Sequence, residues 1–487
     1  MAVVIAGERS GVGKTTVTLA LLAALCRRYP ARVQSFKVGP DYIDPMFHQF
    51  VTGRACRNLD PVLTSESYII ECFQRHCQSA DFALIEGVMG LFDGVTGKDD
   101  WASTAHIARL LGLPIALVLN CSSTSRSIAA IAHGYTTFDP RLTFAGVVLN
   151  RVGSDRHLEL LQDALAPLNL PILGVLRRQD EITIPDRHLG LIPTAELPQL
   201  KTVIDHLAHL GETCFNWDIL SSLLQAPSTL TPLPLHYSKL KTQNISYPAG
   251  SKSYGDASRW QSQSERLIKL KTFPSPPRLA IAHDRAFSFY YADNLDLLQT
   301  AGFELVEWSP LSDRALPENI HGFYFGGGFP EVFAAELSDN QAARQAVKAA
   351  IAARMPTYAE CGGLMYLCDR IIDFEAQAHS MVGILPTDAQ MGKRLTLGYR
   401  QATVQRSTAL MDTGEIVWGH EFHRSYLTAE PEHPLFAMQN YDGTLHQIEG
   451  WQQLQVHASY LHLHFGGKPR LIQRFLQQCQ YYQTGLK

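Results

Sequence analysis

Short apolar runs alternate with longer stretches of helical periodicity from residue 1 to about 225. Ala2 to Ala6, Arg32 to Val38, Phe82 to Glu86, Pro114 to Leu119 and Phe144 to Leu149 read as buried strands. Val17 to Leu25, Trp101 to Leu111, Thr124 to Tyr135 and Asp155 to Leu168 read as helices. Alternation of this kind predicts a parallel sheet with helices on both faces, whose ligands sit beyond the carboxyl ends of the strands. From about Pro227 to Pro277 the periodicity fades and Ser, Thr, Gln, Lys, Tyr and Pro dominate. Such a segment buries too little surface to offset its ordering entropy and predicts a partly mobile linker, with a short helix at Ser264 to Lys271. A second alternation starts at Arg278. Strands are expected at Arg278 to Ala282, Phe303 to Glu307, Gly322 to Phe325 and Pro356 to Ala359, with a helix at Tyr290 to Thr300 and a long one ending at Arg354. The predicted fold class is α/β, with two doubly wound parallel-sheet domains, 1–226 and 278–487, joined by the linker 227–277.

Composition narrows the function classes. The chain has 487 residues, 46% of them hydrophobic, which suffices for two full cores. The formal net charge is -4 and no long basic run occurs, so nucleic acid is not an expected partner. Nine cysteines are scattered without a CxxC pair, the usage of a reducing, cytoplasmic compartment rather than of a zinc site. No apolar run approaches the roughly 18 residues needed to cross a bilayer, and no cleavable leader is evident.

The first chemical motif is Gly7-Glu8-Arg9-Ser10-Gly11-Val12-Gly13-Lys14-Thr15-Thr16, between the first strand and the first helix. Glycines there let backbone N–H groups turn toward phosphate oxygens, and the helix start adds its positive dipole end. Lys14 supplies a cation and Thr15 a hydroxyl for magnesium, so Gly11 to Thr16 form the expected nucleotide cradle. Five residues separate Gly7 from Gly13, one more than the usual spacing. Lys37 to Pro45 follows the second strand and places Asp41, Tyr42 and Asp44 beside the cradle. Glu86 to Gly94 follows the third, with Glu86 as a second magnesium anchor and Asp93 nearby. Asn120 and Asn150 each end a strand, where an amide reads a base edge or caps a turn.

The second motif is Ala359-Glu360-Cys361-Gly362-Gly363, a strand running into a cysteine and then into glycines. That is the pattern of a nucleophile elbow, which would expose the Cys361 thiol at the sheet edge; a helix start there favours thiolate. Backbone N–H groups of Gly362 and of Gly327 or Gly328, on the facing Gly326-Gly327-Gly328 loop, would hold an oxyanion. A base is available at His462 or His464; strand alternation places both on one face and does not choose between them. An acid two residues beyond His462 would complete a triad, but His464 occupies that place. Cys368, expected in the same helix as the elbow glycines, reads as core, and His446 and His457 as surface or packing residues.

Taken together these motifs resemble a known family. The five-spaced loop is similar to that of dethiobiotin synthetases, and the second half resembles class I glutamine amidotransferases. The two in this order resemble the cobyrinic acid a,c-diamide synthases of vitamin B12 biosynthesis. The motifs at 37–45, 86–94 and 326–331 and Trp418-Gly419-His420-Glu421-Phe422-His423 fit that family. The resemblance implies a P-loop amidoligase domain followed by a glutaminase domain with Cys361 and His462 as its catalytic pair. It implies ATP with Mg2+, glutamine and cobyrinic acid as partners, an acyl phosphate intermediate, and Thr15, Asp41 and Glu86 as metal residues. Asp41, Tyr42, Asp44 and Asp93 would handle substrate. Arg57, Arg394 and Arg400 are candidates for a cationic rim around a polyanionic acceptor, His423 could face that acceptor, and a homodimer is a further expectation. Cobyric acid synthase, a nickel-sirohydrochlorin diamide synthase, and a nucleotide-dependent switch with an inactive glutaminase domain stay open as alternatives.

Overall fold

The computed structural model describes residues 2–29, 32–178, 200–227, 275–444 and 446–485. Nearly all of the expected linker, and the expected helix at 264–271, lie outside these residues. Two sheets organise the chain. The first holds seven strands: β1 (Val3–Gly7), β2 (Val33–Val38), β3 (Arg57–Leu59), β4 (Phe82–Glu86), β5 (Ile115–Asn120), β6 (Phe144–Val152) and β7 (Ile172–Arg177). Their order is β3-β2-β4-β1-β5-β6-β7 and every pairing is parallel. Val3, Val4 and Ile5 are buried to opposite sides of β1 and join two separate apolar cores, one on each face. Burial on both faces is why these strands are continuous apolar runs.

The second sheet has a parallel half in the order β18-β11-β10-β8-β9. Its strands are β8 (Arg278–Ala282), β9 (Glu304–Trp308), β10 (Gly322–Phe325), β11 (Thr357–Glu360) and β18 (Val456–Ser459). It differs from a fully parallel sheet beyond β18. There β17 (His446–Gln453), β16 (Pro434–Asn440), β14 (Leu385–Val404) and β15 (Ile416–Leu427) pair antiparallel, as does the short β19 (His462–Leu463) with β15. The long helix expected up to Arg354 is two helices, Ala334–Asp339 and Gln341–Ala352. Asn340 leaves helical geometry between them and caps the second by accepting from the Ala343 N–H. Cys368 does not continue the elbow helix (Gly362–Leu367). It opens the strand β12 (Cys368–Ile372), though it is buried as expected.

Loops after strands of the first sheet dock on loops after strands of the second. Tyr42, Leu63, Phe289 and Tyr291 form a small apolar cluster across the seam. The Tyr291 hydroxyl donates to the Pro40 carbonyl at 3.1 Å, and Tyr399 donates to Asp60 at 2.7 Å. Arg57 pairs with Asp293 at 3.3 Å and with Asp296 at 2.6 Å. Arg57 is therefore a buried strut between the two halves, not part of a cationic rim. Cys72 and His76 also lie within 3.6 Å of Asp293. Closeness at the seam depends on glycine. A Cβ at Gly467 would lie 2.1 Å from the Leu63 carbonyl oxygen, and one at Gly466 2.5 Å from the Tyr68 ring. Any side chain there would push the His462–His464 segment off the first half. Among the described residues no helix is long and apolar enough to cross a membrane.

Candidate active sites

The phosphate loop joins β1 to the helix α1 (Lys14–Arg28). Gly11 and Gly13 have φ of 78° and 98°, a left-handed backbone that turns the loop around an anion. A Cβ at Gly13 would sit 2.2 Å from the Asn150 amide nitrogen. That amide donates to the Val12 carbonyl at 2.8 Å, so Asn150 braces the loop rather than reading a base edge. Asn120 caps a turn by accepting from the Ser122 N–H. A cavity of about 100 Å³ lies behind the loop, lined by Gly13, Thr16, Asn150, Arg151, Arg177 and Leu210 among others. The Lys14 ammonium donates to the carbonyls of Arg9, at 3.3 Å, and Met89, acceptors that phosphate oxygens would replace.

Glu86, at the carboxyl end of β4, is fully buried and accepts from three groups. Thr15 donates at 2.7 Å, Lys37 at 3.0 Å, and the His48 ring nitrogen lies at 2.7 Å. Burial would raise its carboxyl, but Lys37, His48 and Thr15 outweigh that and hold it well below the usual range. Lys37 also contacts Asp44, and Asp41 at 3.7 Å. Three carboxylates thus surround one ammonium. Burial and the neighbouring Asp41 push the Asp44 carboxyl up to about 8 in spite of Lys37. Two cations face these carboxylates, Lys37 and a His48 ring that, against the effect of burial, Cys56 and Glu86 raise to about 10, so the cluster is close to neutral. Thr15 and Glu86 are in contact and fit magnesium as a hydroxyl and a carboxylate ligand, while Asp41 and Asp44 stand across Lys37 from them. Asp93 is exposed and accepts from the Gly90 N–H at 2.8 Å, which holds the loop after β4 in shape. The pattern reading attached no role to Lys37 or His48. A lysine ending a buried strand just before Gly-Pro was the available signal.

At the second site Cys361 has φ 48° and ψ -99°, a strained conformation that puts the nucleophile at the bend between β11 and the elbow helix. Its N–H donates to the Ser459 carbonyl at 2.7 Å, and Gly363 donates to Gly326 at 3.0 Å, locking elbow to glycine loop. The Gly328 nitrogen lies 3.1 Å from where a Gly362 Cβ would be. Backbone amides of these two glycines therefore crowd the elbow, as an oxyanion site requires. Gly327 packs on His462: a Cβ there would lie 2.5 Å from the imidazole Cε1. His464 turns away. It caps the turn at Gly466 and lies 3.9 Å from Asp293 at the seam. Geometry thus separates two histidines that strand alternation left equivalent, with His462 on the elbow side. Tyr42 stacks between Phe289 and Tyr291 and its ring lies 5.0 Å from that of His462, so the loop carrying Asp41 and Asp44 reaches the second site directly.

Two expectations for Cys361 are corrected. The residue is only 4% exposed, not presented at an open edge. Its thiol is not favoured as thiolate: burial first, then the carboxylates Glu331, Glu360 and Glu421, raise it well above the ordinary thiol range, against the Gly362 N–H. Arg400 is buried and paired with Glu421 at 2.7 Å, and His423 is stacked on Tyr460 at 3.8 Å. Neither faces outward to an acceptor. Arg394 alone of the three expected rim arginines is exposed. Glu449 is buried beneath the elbow, accepting from Ser459 and from the Tyr460 N–H at 2.8 Å. Burial pushes its carboxyl up to about 8. The native state then binds this proton more tightly than the unfolded chain does, so stability falls as pH rises from about 4.5 through 8. Thermal melts across that window should show the decline, and Glu449→Gln should make it shallower, the remainder coming from Asp44, Glu331 and Asp60, whose carboxyls burial also raises.

Comparison with known proteins agrees with this geometry. Residues 3–192 match the CobQ/CobB/MinD/ParA nucleotide binding domain, and residues 278–470 the CobB/CobQ-like glutamine amidotransferase domain. A cobyrinate a,c-diamide synthase of Synechococcus sp. is 63% identical over 480 residues, covering 99% of this chain and 98% of the relative. The Salmonella typhimurium enzyme of the same name is 40% identical, covering 98% and 97%. A hydrogenobyrinate a,c-diamide synthase of Streptomyces coelicolor is 39% identical with the same coverage.

Proposed function

Because the chain belongs to the cobyrinate a,c-diamide synthase family, we propose that it converts the a and c carboxylates of cobyrinate to amides, with glutamine as nitrogen donor and ATP as energy source. The enzyme is a glutamine-dependent, amide-forming ligase. The observation that carries the reading is the meeting of the two sites at one seam, where Tyr42 of the phosphate-loop half lies against His462 of the elbow half.

We assign ammonia release to residues 278–487 and amide formation to 1–226, with 227–277 as the linker. In the second site His462 takes the proton of Cys361, whose sulfur attacks the glutamine side-chain amide. Backbone N–H groups of Gly362 and of Gly327 or Gly328 hold the resulting oxyanion. Ammonia leaves, and water releases glutamate from the thioester.

In the first site Gly11 to Thr16 cradle the triphosphate and Lys14 neutralises the transferring group. A substrate carboxylate attacks the γ-phosphorus to give an acyl phosphate and ADP; ammonia then displaces phosphate and leaves the amide. Thr15, Glu86 and Asp41 would hold magnesium, which when bound offsets charge on the phosphoryl oxygens. We assign handling of the acceptor carboxylate to Asp44, Tyr42 and Asp93. Two experiments test this. Cobyrinate carrying ¹⁸O in its carboxylates should pass one labelled oxygen to each inorganic phosphate; unlabelled phosphate would exclude the acyl phosphate. Presented separately with cobyrinate, hydrogenobyrinate and nickel-sirohydrochlorin, the enzyme should turn over cobyrinate with the highest kcat/KM and stop at two amides. Four amides would indicate a cobyric acid synthase.

A further inference from the structure

The acid that usually follows a glutaminase histidine is missing here, since His464 stands in its place and turns to Asp293. His462 is nevertheless completely buried, and neither ring nitrogen has a hydrogen-bond partner in the described structure. A buried imidazole left unpaired is costly and free to rotate. Among the described residues, the carboxylate within ion-pair reach of it comes from the other side of the elbow. Glu360, immediately before the nucleophile, places Oε2 3.9 Å from His462 Nδ1. That carboxylate is itself held firmly. Tyr324 donates to Oε2 at 3.0 Å, the Leu463 N–H donates to Oε1 at 2.9 Å, and Tyr358 donates to Oε1 as well. All three partners are donors, the set that suits a carboxylate rather than a carboxylic acid. Tyr324 and Tyr358 are fully buried and stacked with ring centroids 4.9 Å apart, so the support is rigid. The Leu463 contact also ties the carboxylate to the backbone of the residue after His462.

We propose that Glu360 is the positioning residue of the glutaminase site: it holds His462 Nδ1–H and so leaves Nε2 to exchange the proton with Cys361. The inference rests on the glutaminase role of Cys361 proposed above. The 3.9 Å separation is one that closes when the pocket fills, since hydrogen bonds of catalytic groups are commonly long before substrate binds. Other titratable groups facing His462 are Tyr42 from the first half and His420 opposite it on β15. His420 is held neutral, its ring pushed down to about 3 by burial and by His462 and Arg400. Glu360 is therefore the group able to stabilise a protonated His462.

The test is the pH profile of glutamate release by Glu360→Gln, beside wild type and Cys361→Ala. Glu360→Gln should lower kcat by about 10²-fold, the loss typical when a base loses its orienting partner or an oxyanion donor is removed. KM for glutamine should stay within about threefold, as expected when a transition-state interaction is lost. Loss of an opposite charge near the imidazole lowers its affinity for protons, so the acid limb of kcat/KM should move down by about one pH unit. Glu360→Asp should recover part of both effects, and it gives the same readout should the glutamine variant fail to fold. A profile superimposable on wild type, or equal loss with glutamine and with free ammonia, would overturn the proposal. If wild type released no more glutamate than Cys361→Ala, the glutaminase reading itself would fall, a separately visible result that takes this inference with it.

Discussion

Replacing Cys361 by alanine is expected to abolish glutamine-dependent amidation, by at least about 10³-fold, while turnover with free ammonium stays within about twofold of wild type. The size follows from the chemistry. Among the described residues no other cysteine has a positive φ, and Cys368 is sealed in the core with its sulfur against the Leu364 carbonyl. Sparing of the ammonia reaction follows from the architecture, because Cys361 packs in the core of the second half, apart from the two cores that support the phosphate loop. Alanine also removes little volume from a site whose backbone is held by Ser459 and Gly326, so the seam should survive. Steady-state rates with each nitrogen donor, at matched pH, check this. Parallel loss with both donors would refute the division of labour.

Lys14→Ala should have the complementary signature: amide formation falls about 10³-fold with glutamine and with ammonia alike. In the described structure the ammonium is folded onto the Arg9 and Met89 carbonyls inside the loop, where the phosphates of ATP would lie. Lys37 does not replace it, because Glu86, Asp44 and Asp41 already hold that cation. The variant should fold, since the loop's shape rests on Gly11, Gly13 and Asn150. Initial rates of ADP release with each donor measure the effect. Normal ammonia-dependent rates would remove the loop from the mechanism.

Much of this was legible along the chain because the strands of parallel sheets are continuous apolar runs and their functional residues follow at the carboxyl ends. Glu86, Asp41 and the Gly11–Thr16 loop fall where that rule places them. Cys361 was legible for the same reason, a strand broken by a cysteine and two glycines. What the pattern could not carry was anything set by contacts distant in sequence. Asn150 as a brace for Gly13, Arg57 as a strut to Asp293, and the choice of His462 over His464 all depend on packing between separate elements. The antiparallel half of the second sheet was hidden too, because β14 alternates buried and exposed positions only at its two ends, around an exposed middle, and β15 buries three residues in a row. The charge state of Cys361 was misjudged from the helix start alone. Three carboxylates from Glu331, Glu360 and Glu421 converge on it in space, and burial adds to their effect.

The most direct measurement is the mass of the acceptor after incubation with ATP and glutamine labelled with ¹⁵N at its side-chain amide, in a medium containing unlabelled ammonium at low concentration. Nitrogen freed at Cys361 and consumed beside Lys14 predicts two new amides per cobyrinate, both carrying ¹⁵N in wild type and both unlabelled in Cys361→Ala. Label in the product of Cys361→Ala, or an acceptor left without amides by wild type, would contradict it.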